Sequence, residues 1–129
     1  ALHYIENLNE VFHRVYRTLL PGGTFIFTIE HPIFTASDSQ DWFYNEKEEP
    51  LHWPVDITIE GRRETHFLGE QVVKYHHTLT TLLHGLIQNG FCIQDVIEPQ
   101  PTEEMLQTIP SMKEELRRPM MIIISAVKS

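Results

Sequence analysis

Residues 19–23, Leu-Leu-Pro-Gly-Gly, constrain the fold of this chain more than any other stretch, because an almost wholly apolar run, residues 24–30, follows them at once. A proline ends a helix, and glycines relax the backbone into whatever comes next. A near-continuous apolar run suits a strand covered on both faces, as in a parallel sheet. Helix, Pro-Gly-Gly and covered strand make the second half of a parallel α/β unit. A parallel strand needs a neighbour on each side. The chain is therefore expected to be the C-terminal part of a larger α/β domain.

Upstream of that turn, Leu8, Val11, Phe12, Val15 and Leu19 recur at helical spacing. They predict a helix over residues 8–20, with Asn7 as N-cap and Glu10 three places on, as in a capping box. Residues 2–5 read as the end of an earlier strand and its loop. Residues 31–73 change character. Trp42, Phe43, Tyr44 and Trp53 mix with charges, Pro50 and Pro54, and the region reads as an inserted cap. Within it, residues 56–60 and 63–68 flank Gly61-Arg62, which predicts a hairpin turn there.

A second helix is expected over residues 78–89, with Leu79, Leu82, Leu83 and Leu86 buried and Asn89-Gly90 as its stop. A strand follows over residues 91–97, and Glu98-Pro99-Gln100-Pro101 breaks it. Thr102 opens a short acidic helix and Ser111 another. The last strand, residues 120–127, is apolar on both faces.

The 129 residues suffice for one domain or part of one, and the hydrophobic share of 41% can bury a core. No apolar run approaches the roughly 20 residues that span a bilayer, and residues 1–4, without a basic n-region or cleavage pattern, are not expected to be part of a signal peptide. A formal charge of −8 argues against non-specific nucleic-acid binding. The single cysteine, Cys92, lies in an apolar context that predicts burial, and it fits a reducing cytoplasm. Arg62 and Arg63 read as solvated hairpin residues, and Glu103, Glu104, Glu114 and Glu115 as solvated helix faces.

The order of elements, with Leu19-Leu20-Pro21-Gly22-Gly23, Glu30-His31-Pro32, Lys74-Tyr75-His76, Asn89-Gly90-Phe91 and Glu98-Pro99, resembles the C-terminal half of a class I S-adenosylmethionine-dependent methyltransferase. The Glu-His-Pro and Tyr-His elements are similar to a bacterial small-molecule branch, from which His77 departs by standing in place of an arginine. The resemblance implies a partial Rossmann-like α/β sheet. It holds the end of the family's fourth strand, then the fifth and sixth, with an antiparallel seventh between those two. It implies S-adenosylmethionine as cofactor. The glycine-rich turn and the ribose-binding acid of the family have no counterpart here and are expected upstream, so the chain alone is expected to bind the cofactor poorly and to be inactive.

The resemblance also places candidate residues at the C-terminal ends of strands, where open α/β sheets bind ligands. His3 and Tyr4 are the cofactor-side candidates. Glu30, His31 and His76 are the candidates for base or acceptor alignment. A base is needed only if the nucleophile has a proton to lose. Trp42, Tyr44, Trp53, Tyr75 and His77 are the candidates for the wall around a small-molecule substrate, the two tryptophans and Tyr44 alternatively forming the cap's own small core.

Eight histidines raise a metal alternative, but no His-x-x-x-His occurs and no metal site is expected. The one pair considered, His77 and His84, is expected on a shared helix face. A third alternative is a non-catalytic interaction module. If strand 24–30 is an edge, it pairs with another chain, and the isolated polypeptide is expected to dimerise through it.

Overall fold

The computed structural model describes residues 2–37, 40–55, 59–67 and 70–129. Helix α1, Leu8–Thr18, begins where Asn7 accepts a hydrogen bond from the Glu10 N–H at 3.1 Å. Only half of a capping box forms, because the Glu10 carboxylate turns outward to Arg14 at 2.6 Å. Gly22, at φ +85°, makes the turn that proline requires, and strand β1 runs Thr24–Glu30.

The main sheet has the order β1-β7-β6, where β6 is Phe91–Ile97 and β7 is Met121–Lys128. Strand β7 lies between the other two and is antiparallel to both. This is the arrangement expected of the family's fifth, seventh and sixth strands. Register pairs Phe27 with Ile124 and Ile29 with Ile122, so these four side chains share a face. On that face Leu8, Phe12, Leu82, Leu86, Phe91 and Ala126 complete a dry core. Burying each of the larger side chains contributes about 1.5–3 kcal/mol.

The opposite face corrects the expectation of strands covered twice over. Ile26 is 64% exposed and Thr28 is exposed beside it. Cys92, expected buried, is exposed as well. Alternation puts Phe91 and Ile93 in the core and turns Cys92 to the open face, opposite Val127.

The segment after Thr78 is less regular than its leucine spacing suggests. A π turn, Thr80–His84, leads into a four-residue α-helix, α3, Gly85–Gln88. The wider turn rotates the face, so Leu82 and Leu86 are buried, Leu83 is half-buried and Leu79 is 45% exposed. Gly85 sits against Phe12, whose ring a Cβ would meet at 3.2 Å. Residues 2–4, read as a strand end, form a 3₁₀ turn instead.

Helix α2, Pro32–Thr35, and two small antiparallel ladders form the region between β1 and the π turn. One ladder pairs β2, Phe43–Tyr44, with β3, Pro50–His52. The other pairs β4, Gly61–Phe67, with β5, Glu70–His76. The hairpin expected around Gly61-Arg62 does not form, because both residues lie inside β4, which pairs onward with β5 instead. Gly61, at φ +151°, begins β4 opposite His76, and the connection falls at residues 68–69, outside the described residues. Residues 56–58 of the expected first arm also lie outside them. Strand β5 continues to His76, three residues beyond the expected end of the cap.

Helix α4, Glu103–Thr108, is capped by Thr102, whose hydroxyl accepts from the Met105 N–H at 3.2 Å. The next expected helix is a 3₁₀ segment, Pro110–Leu116. Its two acids are not solvated singly: Glu114 pairs with Arg117 at 2.7 Å and Glu115 with Arg118 at 2.8 Å.

Candidate functional site

Strand β1 ends in a carboxylate at the C-terminal edge of the sheet, the end where ligands bind in open α/β folds. Glu30 is only 8% exposed. Its Oε1 accepts from Lys74 Nζ at 2.7 Å and lies 3.2 Å from His3 Nε2. Lys74 and His3 are equally buried, each 8% exposed. Three segments distant in sequence thus meet in one buried polar knot: the first 3₁₀ turn, the end of β1, and β5. A buried carboxylate of this kind is tolerable because a cation neutralises it.

Burial holds the His3 imidazole below its usual value of 6.5. The Glu30 carboxylate opposes that shift and the Lys74 ammonium adds to it. His3 is therefore neutral at physiological pH. A neutral ring facing a carboxylate through Nε2 carries its proton there and donates it. That leaves Nδ1 as a bare acceptor. Among the described residues, His3 Nδ1 and Glu30 Oε2 are buried atoms with no hydrogen-bond partner. Leaving a buried polar atom unsatisfied costs about 1–3 kcal/mol.

Lys74 also donates to Gln40 Oε1 at 3.4 Å and lies 5.8 Å from the Phe34 ring centre. The sequence reading missed Lys74 as a site residue. The available signal was its place in β5, where alternation puts Lys74 and His76 inward and leaves the side chain of Tyr75 between them on the other face, half-buried.

His31, His76 and His77 each make bonds that tie elements of the fold together. His31 Nδ1 accepts from the Ile33 N–H at 3.0 Å and so caps α2. Its Nε2 then carries the proton and donates it to Glu98, which ties the end of β1 to the end of β6. His31, expected near the reacting atoms, is thus turned away from Glu30 by its own capping bond. His76 Nδ1 lies 2.6 Å from Thr35 Oγ1, joining β5 to α2 in the interior. His76 also lines a small apolar hollow with Pro32, Ile33, Ala36 and Val55. His77 Nε2 donates to the Ile5 carbonyl at 2.8 Å, which fastens the first turn to the hairpin. His77 precedes the helical segment that holds His84, so the shared face expected of that pair does not form. Among the described residues, no three His, Cys, Asp or Glu side chains come together as metal ligands.

The aromatic candidates divide. Trp42 and Trp53 pack edge to face at 5.5 Å, and Trp53 stacks on Phe34 at 5.2 Å. Their shared centre is occupied by Arg118, whose guanidinium lies 4.1 Å from Trp53, 4.9 Å from Phe34 and 5.3 Å from Trp42. The cap's small core is therefore a cation held among rings. Tyr44 lies outside it, exposed, with its hydroxyl on Asp41 at 3.0 Å, a bond that raises the phenol above 10.0. Arg63, expected in solvent, is buried, donating from Nη2 to the Ile59 carbonyl at 2.6 Å, whereas Arg62 stays exposed and pairs with Glu64. Tyr4 is 46% exposed, and its ring lies 4.4 Å from that of His3.

No protein-family model matches the chain. It is 30% identical to an uncharacterised protein of Haemophilus influenzae, over 99% of this chain and 51% of that protein. Two solved structures match nearly all of it. A protein of Listeria monocytogenes proposed to be an S-adenosylmethionine dependent methyltransferase is 51% identical, with a TM-score of 0.93 over 100% of this chain and 58% of that one. An S-adenosylmethionine dependent methyltransferase of Mesorhizobium loti is 41% identical, with a TM-score of 0.87 over 98% of this chain and 58% of that one. The chain spans 51% to 58% of the length of these relatives. Its fold is that of the C-terminal half of a class I S-adenosylmethionine-dependent methyltransferase.

The residues present fit only one side of a cofactor site. Gly22 and Gly23 lie at the start of β1, at the opposite end from Glu30, and Gly90 at the start of β6. None of them makes a glycine-rich cradle at the ligand-binding end of a strand. His3 and the exposed Tyr4 ring do lie at that end.

Proposed function

We infer that this chain is the acceptor-side half of an S-adenosylmethionine-dependent methyltransferase acting on a small molecule. The observation that carries the reading is the Glu30–Lys74–His3 knot, buried and incompletely satisfied at the ligand-binding end of β1. The likeness to two solved methyltransferases over nearly the whole chain gives it its chemical context.

When bound, the sulfonium cofactor supplies an electrophilic methyl group; the protein's part is alignment and exclusion of water. His3 and Tyr4 form the wall nearest the cofactor. Glu30 and Lys74 fix the His3 ring. His76 and Thr35 hold α2 beneath the site, and Trp42, Trp53 and Phe34, clamped on Arg118, give the cap its shape. Tyr75, Tyr44, His31 and His77 border this arrangement, and His77 acts by anchoring the turn that carries His3. The cofactor's own cradle belongs to the rest of a longer protein, so the 129-residue chain by itself is inactive. The same reading places the protein in the cytoplasm, and among the described residues no helix is long and apolar enough to cross a membrane.

Calorimetric titration of S-adenosylhomocysteine tests this. Micromolar binding by a chain extended upstream by about 100 residues, a half-domain scale, and none by the 129-residue chain, is the expected result. No binding by either sinks the reading. The isolated chain is further expected to dimerise through β1, which among the described residues has only β7 as a partner. Sedimentation as a single monomeric species rejects that part.

A further inference from the structure

We propose that the hollow between the end of β6, α4 and the 3₁₀ segment Pro110–Leu116 is a binding site for the uncharged aromatic body of the acceptor substrate. The inference deepens the methyltransferase reading and rests on it for why a ligand comes to this end of the sheet.

The chain has four methionines, and all four, Met105, Met112, Met120 and Met121, line this one hollow together with Pro99 and Pro101. Its volume of about 420 Å³ is in the range of sites that take a small molecule. A sphere of that volume is about 9 Å across, narrower than a helix with its side chains at about 10–12 Å. Met105 and Met120 are 41% and 40% exposed, so thioethers at its mouth are reachable from solvent.

The strand register sets its place. Alternation along β7 sends Ile122 and Ile124 into the dry core and Met121 to the opposite face. Met121 pairs with Glu30, so their Cβ atoms are neighbours on that face, about 5 Å apart. The His31 N–H donates to the Met120 carbonyl at 2.7 Å, and the His31 ring donates to Glu98, the residue before Pro99. These three ties fix the hollow beside the C-terminal end of β1.

The chemistry of the wall selects the ligand. Methionine is unbranched and polarisable, fits irregular shapes, and brings its sulfur favourably against aromatic rings. Two polar side chains join the lining, Gln100 and Glu115. Arg118 engages both oxygens of the Glu115 carboxylate, at 2.8 and 3.4 Å, so Glu115 brings no free charge. Gln100 offers an uncharged amide, which donates and accepts. An ion entering such a site gives up its hydration without gaining a partner. The ligand is therefore a neutral ring system with a hydroxyl or amide on its edge, rather than one bearing a carboxylate, phosphate or ammonium.

The test uses the full-length protein with carbon-13 in its methionine methyl groups, each of the four resonances assigned by its Met→Leu variant. Binding of S-adenosylhomocysteine, measured first, stands or falls with the methyltransferase reading alone. 2-Naphthol is then expected to move all four methyl resonances through its ring current, saturably and with one dissociation constant. 2-Naphthoate and 2-naphthylmethylammonium are expected to bind about tenfold more weakly or worse, because each carries a charge that the hollow cannot pair.

Met105→Glu is expected to weaken 2-naphthol about tenfold while S-adenosylhomocysteine binding is retained, and Met105→Leu to retain both. The half-exposed position spares the core in either variant. The proposal is overturned if 2-naphthol moves none of the four methyls, if either charged probe moves them as strongly, or if Met105→Glu binds 2-naphthol as tightly as the native protein. It is equally overturned if nuclear Overhauser contacts in the free protein show another part of the chain filling the hollow, or if dilution shows that a second copy fills it. If 2-naphthol binds as expected and S-adenosylhomocysteine does not, the hollow stands as an aromatic site and its assignment to a methyl acceptor falls.

Discussion

Under the sheet, Phe12, Leu86, Ile29 and Ile124 exclude water with apolar area alone, whereas in the cap the same work falls to a cation, Arg118, among Phe34, Trp42 and Trp53. The first core tolerates exchange of one hydrocarbon for another of similar volume. The second centres on a guanidinium whose charge is balanced by Glu115 at 2.8 Å. A planar, weakly hydrated cation stacks on rings where an ammonium does not. The cap's order thus hangs on two adjacent guanidiniums, since Arg117 lies 4.6 Å from Trp42 and donates to the Pro50 and Leu51 carbonyls, while the sheet's order is shared by many.

The sharpest way to break the comparison is in the sheet core. Phe12→Ala removes a fully buried ring that touches Phe25, Phe27 and Gly85. It is expected to cost about 4 kcal/mol in urea denaturation, the range for buried aromatic deletions. A loss under about 1 kcal/mol would mean that the core collapses to fill the space.

Arg118→Lys is expected to cost roughly 2 kcal/mol, the scale of a desolvated cation–π contact. Hydrogen exchange should show it as faster exchange of α2 and of β3 with α1 and β7 unchanged. Uniform acceleration everywhere would show that the two cores are one cooperative unit.

Acidification should separate the regions by pH. The His3 imidazole is depressed in the folded protein, so the unfolded chain binds more protons below 6.5, and stability falls as pH drops through that value. At Glu60, burial raises the carboxyl, but hydrogen bonds from the Thr81 hydroxyl and the Thr78 N–H, with His77 and His76 nearby, outweigh it and hold it below 4.5. Its stabilisation is present above 4.5 and is lost as pH falls below that through the lower folded value. Thermal melts from pH 8 down to about 2, below both carboxyl values, should therefore decline in two stages, the first near His3 and absent in His3→Gln.

The smallest expected effect is at the surface. Glu10→Gln removes the exposed pair with Arg14 and should change stability by about 0.3 kcal/mol, vanishing in high salt.

The sheet was legible because its signals are local. Pro21-Gly22-Gly23, Asn89-Gly90 and the apolar runs mark ends and faces within a few residues of where they act. The cap resisted for the opposite reason. Gly61 looks like a turn residue, but its positive φ is needed at a strand start, where it faces His76. The Glu30 carboxylate was legible as a candidate because it ends a strand at the ligand side. Its partner Lys74 was not, because nothing near either residue encodes their meeting. His31 looked reactive in Glu-His-Pro, yet the proline that follows starts a helix, and the imidazole is spent on capping it. Nothing beside Arg118 in the chain encodes its place, and only the rings gathered from Phe34, Trp42 and Trp53 turn it inward.

The middle position of β7 has a consequence for synthesis. Strands β1 and β6 point the same way and lie two strand spacings apart, roughly 10 Å. On the ribosome both exist before residues 121–128 have been made. Neither can bond to the other across that gap, and each waits as an open edge able to recruit foreign strands. Strand β7, the last of the three to leave the exit tunnel, is the one that fills the gap between them. A nascent chain of this design keeps that gap open until residues 121–128 emerge, however early its helices form.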